Sequence, residues 1–299
     1  MSQLIECIPN FSEGRRPEVV DSIVSAIRSV SGILMLDRSS DIDHNRSVVA
    51  FAGSPTAVSE AAFRAIDEAS RHINMELHTG VHPRIGAADV VPFVPLSEAT
   101  LQDCADVAYE LGKRVGQELN IPVYLYEAAA LRPERKRLEN IRRGGYEKLR
   151  DTIAIDPALE PDFGPSAVGA AGATIIGARN PLIAFNIYLS TGDIKIAQSI
   201  ARTIRQSSGG LPFVKALGFL VQDRAQVSIN LTDFTQTSLP TVIEAVRSEA
   251  YKRGVEIQQT ELIGLIPQAA LIEVARWYLQ LEFLQASQIL ETQIANSLA

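Results

Sequence analysis

Four histidines occur in this 299-residue chain, and three of them, His72, His78 and His82, fall close together. Imidazole, with an ordinary pKa of about 6.5, accepts and returns a proton near neutrality, so such a group is a candidate general acid and base. His82 stands in ELHTGVHPRIGAADVVPFVP, residues 76–95. There Gly80, Pro83 and Gly86 bend the backbone into a loop that leads to an apolar strand, and Arg84 adds a rigid cationic fork two positions on. Both polar groups can then face a cleft, with His82 as the candidate catalyst. A turn or surface role is the ordinary alternative for a loop histidine. The shortage of histidines elsewhere and the packing of glycines and prolines around this one favour chemistry. His78 and His82 are four apart and could share a metal on a helix, but Gly80 and Pro83 oppose a helix. No carboxylate or cysteine sits at ligand spacing, so no metal is expected.

Other polar residues stand where apolar patterns break. In DRSSDIDHNRSVV, Asp37 is expected to end a strand, with Asp41, Asp43, His44, Asn45 and Arg46 following before the next strand. Tight-turn chemistry alone accounts for many of these residues. Functionally, Asp41 or Asp43 can orient an imidazole, and Arg46 and Arg84 are candidates for bidentate pairing with a substrate carboxylate. Asn186 and Asn230 interrupt apolar strands, where a buried amide needs a partner, either across the sheet or on a ligand. Arg179 and Glu261 fit an ion pair or a bound carboxylate equally well. The glycine-rich GPSAVGAAGATIIG, residues 164–177, has neither nucleotide fingerprint, and on composition alone reads as a flexible linker or a ligand cradle. RPERKRLENIRRGGYEKLR, residues 132–150, is strongly basic. It reads as a solvated helical face with i,i+4 pairs, or as a landing site for an anionic tail on Arg142 and Arg143.

The elements that must position these residues follow from hydrophobic period. Strands are expected near 4–8, 32–37, 46–52 and 89–94 or 121–127, with helices over 17–30 and 55–72. The second half repeats the order with strand 182–189, helix 193–207, strands 214–221 and 226–231, helix 240–253 and strand 255–263. Two β-α-β-β-α-β runs predict an α+β protein of two ferredoxin-like domains, residues 1–179 and 180–299, each with an open sheet face. A helix over 100–119 covers the first sheet, and helical pattern from 268 to 298 closes the second domain or joins a neighbouring subunit. With 46% hydrophobic and 21% charged residues the chain can bury a full core. Cys7 and Cys104 read as buried fillers. The net charge of −7 argues against nucleic acid and anionic membrane as partners, and without a signal stretch or span the protein is expected in the cytoplasm.

HxGxHPRIGAxDVxPFxP resembles the signature loop of glutamate formimidoyltransferases. IECIPNFSEGR (5–15), DIDHNRSVV (41–49), PDFGP (161–165), GARNPLIAFNIYLST (177–191), VSINLTDFT (227–235) and TELIGLIPQAAL (260–271) are similar to the same family, in order, almost end to end. The resemblance implies transfer of a formimino group from N-formimino-L-glutamate to tetrahydrofolate as co-substrate, with His82 as acid and base. Asp41, Asp43, Asn45, Arg46, Arg84, Arg179, Asn186 and Asn230 are then the substrate-binding candidates. It also implies a folate tunnel between the two domains lined by Phe163, Gly164, Pro165 and Ser166, a homodimer, and no fused cyclodeaminase domain. Relatives with that domain carry, by the same resemblance, an aspartate where this chain has Ser39, which leaves the partner of His82 open. Transfer from N-formylglutamate or another one-carbon donor, and a non-catalytic folate- or protein-binding module, are the alternatives.

Overall fold

The computed structural model describes residues 3–80 and 83–298. It is an α+β structure with two sheets, and the chain divides into two compact units, Met1–Asn180 and Pro181–Ala299. The first unit opens with β1 (Leu4–Cys7), β2 (Asn10–Phe11), α1 (Pro17–Arg28), β3 (Leu34–Asp41), β4 (Arg46–Gly53), α2 (Pro55–His72) and β5 (Ala88–Ser97). It continues with α3 (Leu101–Arg114), β6 (Val123–Glu127), α4 (Leu138–Ile141), α5 (Gly145–Thr152) and β7 (Thr174–Ala178). Local signals set the helix starts. Ser54 accepts the Ala57 N–H and Pro55 follows it at the head of α2, while Thr100 and Asp103 form a reciprocal capping box on α3.

The first sheet runs β1-β4-β2-β5-β7-β6, with β3 beside β4 and β1 also paired to β5. Its pairings are antiparallel except around β7, which lies parallel to both β5 and β6 (Val90↔Ile175, Val123↔Thr174). One face carries Ile5, Cys7, Phe51, Phe93, Leu125 and Ile176 into a single core with apolar residues of α1, α2 and α3. On the other face Leu149 and Ile153, from the segment around α5, cover Val90, Tyr124, Tyr126 and Ile175. Cys7 and Cys104 are buried free thiols in the helix-side core.

Three expectations change. The glycine-rich stretch is not a linker along its length, because residues 174–178 are the buried central strand β7. The basic run is not one helical face. Pro133 starts a 3₁₀ turn, and Gly144 and Gly145, both at positive φ, separate α4 from α5. Its arginines pair over long range instead, as in the buried Arg135–Asp162 bridge at 2.6 Å. Strand β3 continues past Asp37 to Asp41, because its antiparallel register with β4 runs on to the pair Asp41↔Arg46.

The second unit contains β8 (Ile183–Leu189), α6 (Ile194–Ile204), β9 (Val214–Val221), β10 (Arg224–Leu231), α7 (Leu239–Tyr251), β11 (Ile257–Ile263), α8 (Gln268–Leu279) and α9 (Leu290–Leu298). Its antiparallel sheet has the order β11-β8-β10-β9. Strand alternation sends Phe185, Ile187, Val227 and Ile229 into a core with Ile200, Ile204, Val242 and Val246. Asn186 and Asn230 point to the opposite face, which corrects the expectation of buried amides: Asn230 is exposed, and half-buried Asn186 donates to Glu261 at 3.2 Å. Among the described residues no helix is long and apolar enough to cross a membrane.

Candidate active site

A small solvent-open cleft lies in the first unit, lined by Asn10, Phe11, Ser12, His44, Asn45, Arg46, His78, Arg84 and Asp89. Its residues come from four places: β2 with Ser12 just beyond it, the β3–β4 hairpin, the loop between α2 and β5, and the start of β5. His82 belongs to that loop by sequence and lies outside the described residues.

The hairpin is built by its own side chains. Asp41 Oδ1 accepts the His44 N–H at 2.8 Å and Oδ2 meets the His44 ring at 2.7 Å, an Asx-type turn. Burial pulls the Asp41 carboxyl upward, and the hydrogen bonds from His44 override it and hold it below its ordinary value. Asn45 follows at φ 48° and turns its amide inward, accepting the Gly14 N–H at 2.9 Å and donating to the Thr79 carbonyl at 3.0 Å. That ties the hairpin to the His78 loop. Gly80 is required there, since a Cβ would stand 2.5 Å from the His44 carbonyl oxygen.

Both ends of the loop are strapped to the glycine-rich stretch. Met75 donates to Ala170, Ala87 to Ala171 and Ala173 to Ile85, at 2.7, 2.8 and 2.9 Å. Asp89 Oδ1 accepts the Ile85 N–H at 2.8 Å, and its other oxygen pairs with Arg142. Ser12 donates from Oγ to the Gly86 carbonyl at 2.7 Å, closing the wall from the β2 side.

Arg46 and Arg84 line the cleft, and Arg142 reaches Asp89 on its wall. Arg46 donates to Asn10 Oδ1, and burial together with repulsion from Arg142 pushes its pKa down to about 10. Arg142 pairs with Asp89, and Asp89 and Asp41 both attract the Arg46 charge against the repulsion from Arg142. The buried Nε–H groups of Arg46 and Arg142 find no acceptor among the described residues. Buried donors of this kind are rare and costly, and an anionic ligand would satisfy them. Arg84, in contrast, is already gripped by Glu147 through both terminal nitrogens, at 2.6 and 3.1 Å.

Of the residues expected from sequence, the cleft brings together Asn45, Arg46 and Arg84, with Asp41 and Asp43 exposed in the adjoining hairpin. Arg179 follows β7 and lies near Glu6 and Tyr126; burial raises the Glu6 carboxyl and Arg179 opposes it. Phe163 is elsewhere, fixed at the end of β6 by paired backbone hydrogen bonds with Val123 and edge-on to Tyr109 with ring centroids 5.2 Å apart. Neither it nor Gly164, Pro165 and Ser166 lines the cleft. Asn186 and Asn230 sit in the second unit. Sequence reasoning missed Asn10, Ser12 and Asp89, although Asn10 and Ser12 lie within IPNFSEGR and Asp89 within the HPRIGAxDV motif. Arg142 and Arg143 do not form one patch, because Arg142 turns to Asp89 while Arg143 is exposed. Among the described residues no cluster of three or more histidine, cysteine or acidic side chains could hold a metal ion.

Residues 4–179 match the model of the N-terminal subdomain of the formiminotransferase domain, and residues 184–296 match that of the formiminotransferase domain. The chain is 48% identical to a glutamate formimidoyltransferase of Thermoplasma acidophilum, over 98% of each chain. It is 44% identical to one of Streptococcus pyogenes serotype M1, over 98% of this chain and 99% of that protein. With a formimidoyltransferase-cyclodeaminase of Mus musculus the identity is 42%, over 93% of this chain and 53% of the longer protein.

Proposed function

The chain belongs to the formiminotransferase family, and from that premise we propose that it is a glutamate formimidoyltransferase moving a formimino group from N-formimino-L-glutamate to N5 of tetrahydrofolate. The observation that carries this reading on the donor side is the Arg46–Asp89–Arg142 unit. It holds two buried N–H groups with no acceptor among the described residues, and Arg46 lines the cleft, which suits a carboxylate of the glutamate moiety. Arg84 and Asn45 extend the same wall.

The chemistry needs one proton carrier. N5 attacks the formimino carbon, a new C–N bond forms, and the tetrahedral intermediate collapses when the glutamate nitrogen is protonated and its bond to that carbon breaks. His82 takes the N5 proton and returns it to the leaving nitrogen. Positioned acid–base help of this sort is worth about 10²–10⁴ in rate, and the rest comes from holding both substrates in register. Phe163, Gly164, Pro165 and Ser166 serve as folate contacts, and Arg179, Asn186 and Asn230 as substrate-binding residues. The strand order β11-β8-β10-β9, and β3-β4-β1-β5 at the core of the first sheet, support two ferredoxin-like domains, 1–179 and 180–299. The exposed Trp277, Leu279 and Phe283 near the end of α8 suit a homodimer contact.

The test is formation of 5-formiminotetrahydrofolate from the two substrates. The unmodified protein turns over, and folded His82→Asn loses about two to four orders of magnitude. Arg142→Gln raises KM for the donor about ten- to a hundredfold, the range of a lost charge-assisted hydrogen bond. No turnover by the unmodified protein would sink the reading.

A further inference from the structure

We propose that His78, held as a neutral imidazole, is the positioning residue for Arg84 in the donor cleft, so that protonating it releases Arg84 and weakens donor binding. The inference rests on the transferase reading. Arg84 Nε–H donates to His78 Nδ1 at 3.1 Å, and His78 Nε2 lies 3.1 Å from the Asn45 carbonyl oxygen. A guanidinium can only donate and a carbonyl can only accept. The ring proton therefore sits on Nε2, and one tautomer of the neutral ring fits.

An imidazolium would set an Nδ1–H against the Arg84 Nε–H and place two cations in contact. Arginine does not yield its proton, so the ring or the guanidinium has to move. Arg84 has little freedom otherwise. It donates to the His78 carbonyl at 3.3 Å and to Glu147 on α5, while its own carbonyl accepts the Tyr146 N–H at 2.8 Å. His78 thus supplies the acceptor that completes the hold on the guanidinium from the cleft side.

The groups around the ring favour its neutral form. Burial is the largest influence and lowers its proton affinity, against the Asn45 carbonyl bond. Arg84 and Arg15 repel an added proton and Glu13 attracts it. Glu13, however, is already engaged by the backbone N–H groups of Arg15 and Arg16 and by the Arg16 guanidinium. His44, Arg46 and Asp89 line the same cleft, and Glu147 faces Arg84 from α5.

The experiment has two arms. In the first, steady-state kinetics are followed from about pH 5 to 8, the range in which histidine changes charge. The donor KM of the unmodified protein rises about tenfold per unit below the His78 ionisation. In His78→Asn, whose amide oxygen can take the place of Nδ1 but cannot be protonated, KM stays within a few-fold of that of the unmodified protein at neutral pH and loses its acid dependence. In His78→Ala, KM is raised about tenfold or more at every pH, with kcat changed less. An unchanged acid rise in His78→Asn, or equal loss of kcat and KM effects in His78→Ala, overturns the proposal. In the second arm, imidazole nitrogen resonances are recorded on ¹⁵N-histidine-labelled protein and assigned by difference with His78→Asn. They should show the Nε2–H tautomer, titrating below the ordinary value of about 6.5. The Nδ1–H tautomer, or a ring charged at neutral pH, overturns it. Lack of turnover in the unmodified protein counts against the transferase reading, and the tautomer measurement still decides the positioning.

Discussion

Glu13 sits almost wholly out of water, 3% exposed, yet remains ionised. Burial pulls its carboxyl upward, but two backbone N–H bonds at the head of α1, and then the Arg16 guanidinium, outweigh burial and leave it below its ordinary value of 4.5. Its carbonyl also accepts Ser47 Oγ–H from β4. Glu13→Gln should therefore cost about 1–3 kcal/mol at neutral pH, measured from urea midpoints. The folded-state pKa is the lower one, so the charge contribution is complete above about 4.5 and fades as pH falls through the folded value. The difference between the two proteins should shrink along that course; a constant difference down to strongly acid pH would mean that the charge is not its source. At this scale the sequence marked Asn45, Arg46 and Arg84 through residue type and loop context. Glu13 and Asp89 stand inside quoted motifs but nothing singled them out, since the partner of Asp89, Arg142, lies far along the chain. Long-range pairing leaves no trace in a local pattern.

At the scale of elements, the described part of the loop between α2 and β5 is held to residues 169–173 as well as by its own hydrogen bonds. Gly86 bridges Gly172, and a Cβ on Gly86 would stand 1.9 Å from the Ala173 carbonyl oxygen. Because that obstacle is backbone, Gly86→Ala has to part the two segments, at a cost of about 1–3 kcal/mol or more. Both a lowered urea midpoint and a raised donor KM are expected; wild-type values for both would show that the strap does not shape the cleft. The helices were legible because their apolar residues recur at three and four positions between caps and prolines, as in Pro55–His72. Strand β7 was not. A central parallel strand is apolar on both faces and shows no alternation, and its glycines read as loop. The short α4 and α5 escaped for the opposite reason, since their charged surfaces resemble one long solvated helix once Gly144 and Gly145 are overlooked.

For the whole molecule, the two units have separate hydrophobic clusters, so damage should stay local. Ile229→Ala, in the middle of β10 and 1% exposed, should destabilise by about 2–5 kcal/mol. Hydrogen exchange read by mass spectrometry should speed up across β8, β9, β10 and β11, while β5 and β7 keep their protection; equal acceleration in both units would contradict this. The repeated order of strands and helices was readable because each unit's period switches from two to about 3.6 at turn residues. The parallel extension of the first sheet was not readable, because pairing partners there are remote in sequence. That extension also sets a timetable for birth on the ribosome. Strand β7 is made after β5 and β6 yet lies between them, so both neighbours wait with open edges until residues 174–178 arrive. Until then they are exposed to wrong partners, and the nascent first unit is most in need of a chaperone during synthesis of the stretch from residue 128 to residue 178.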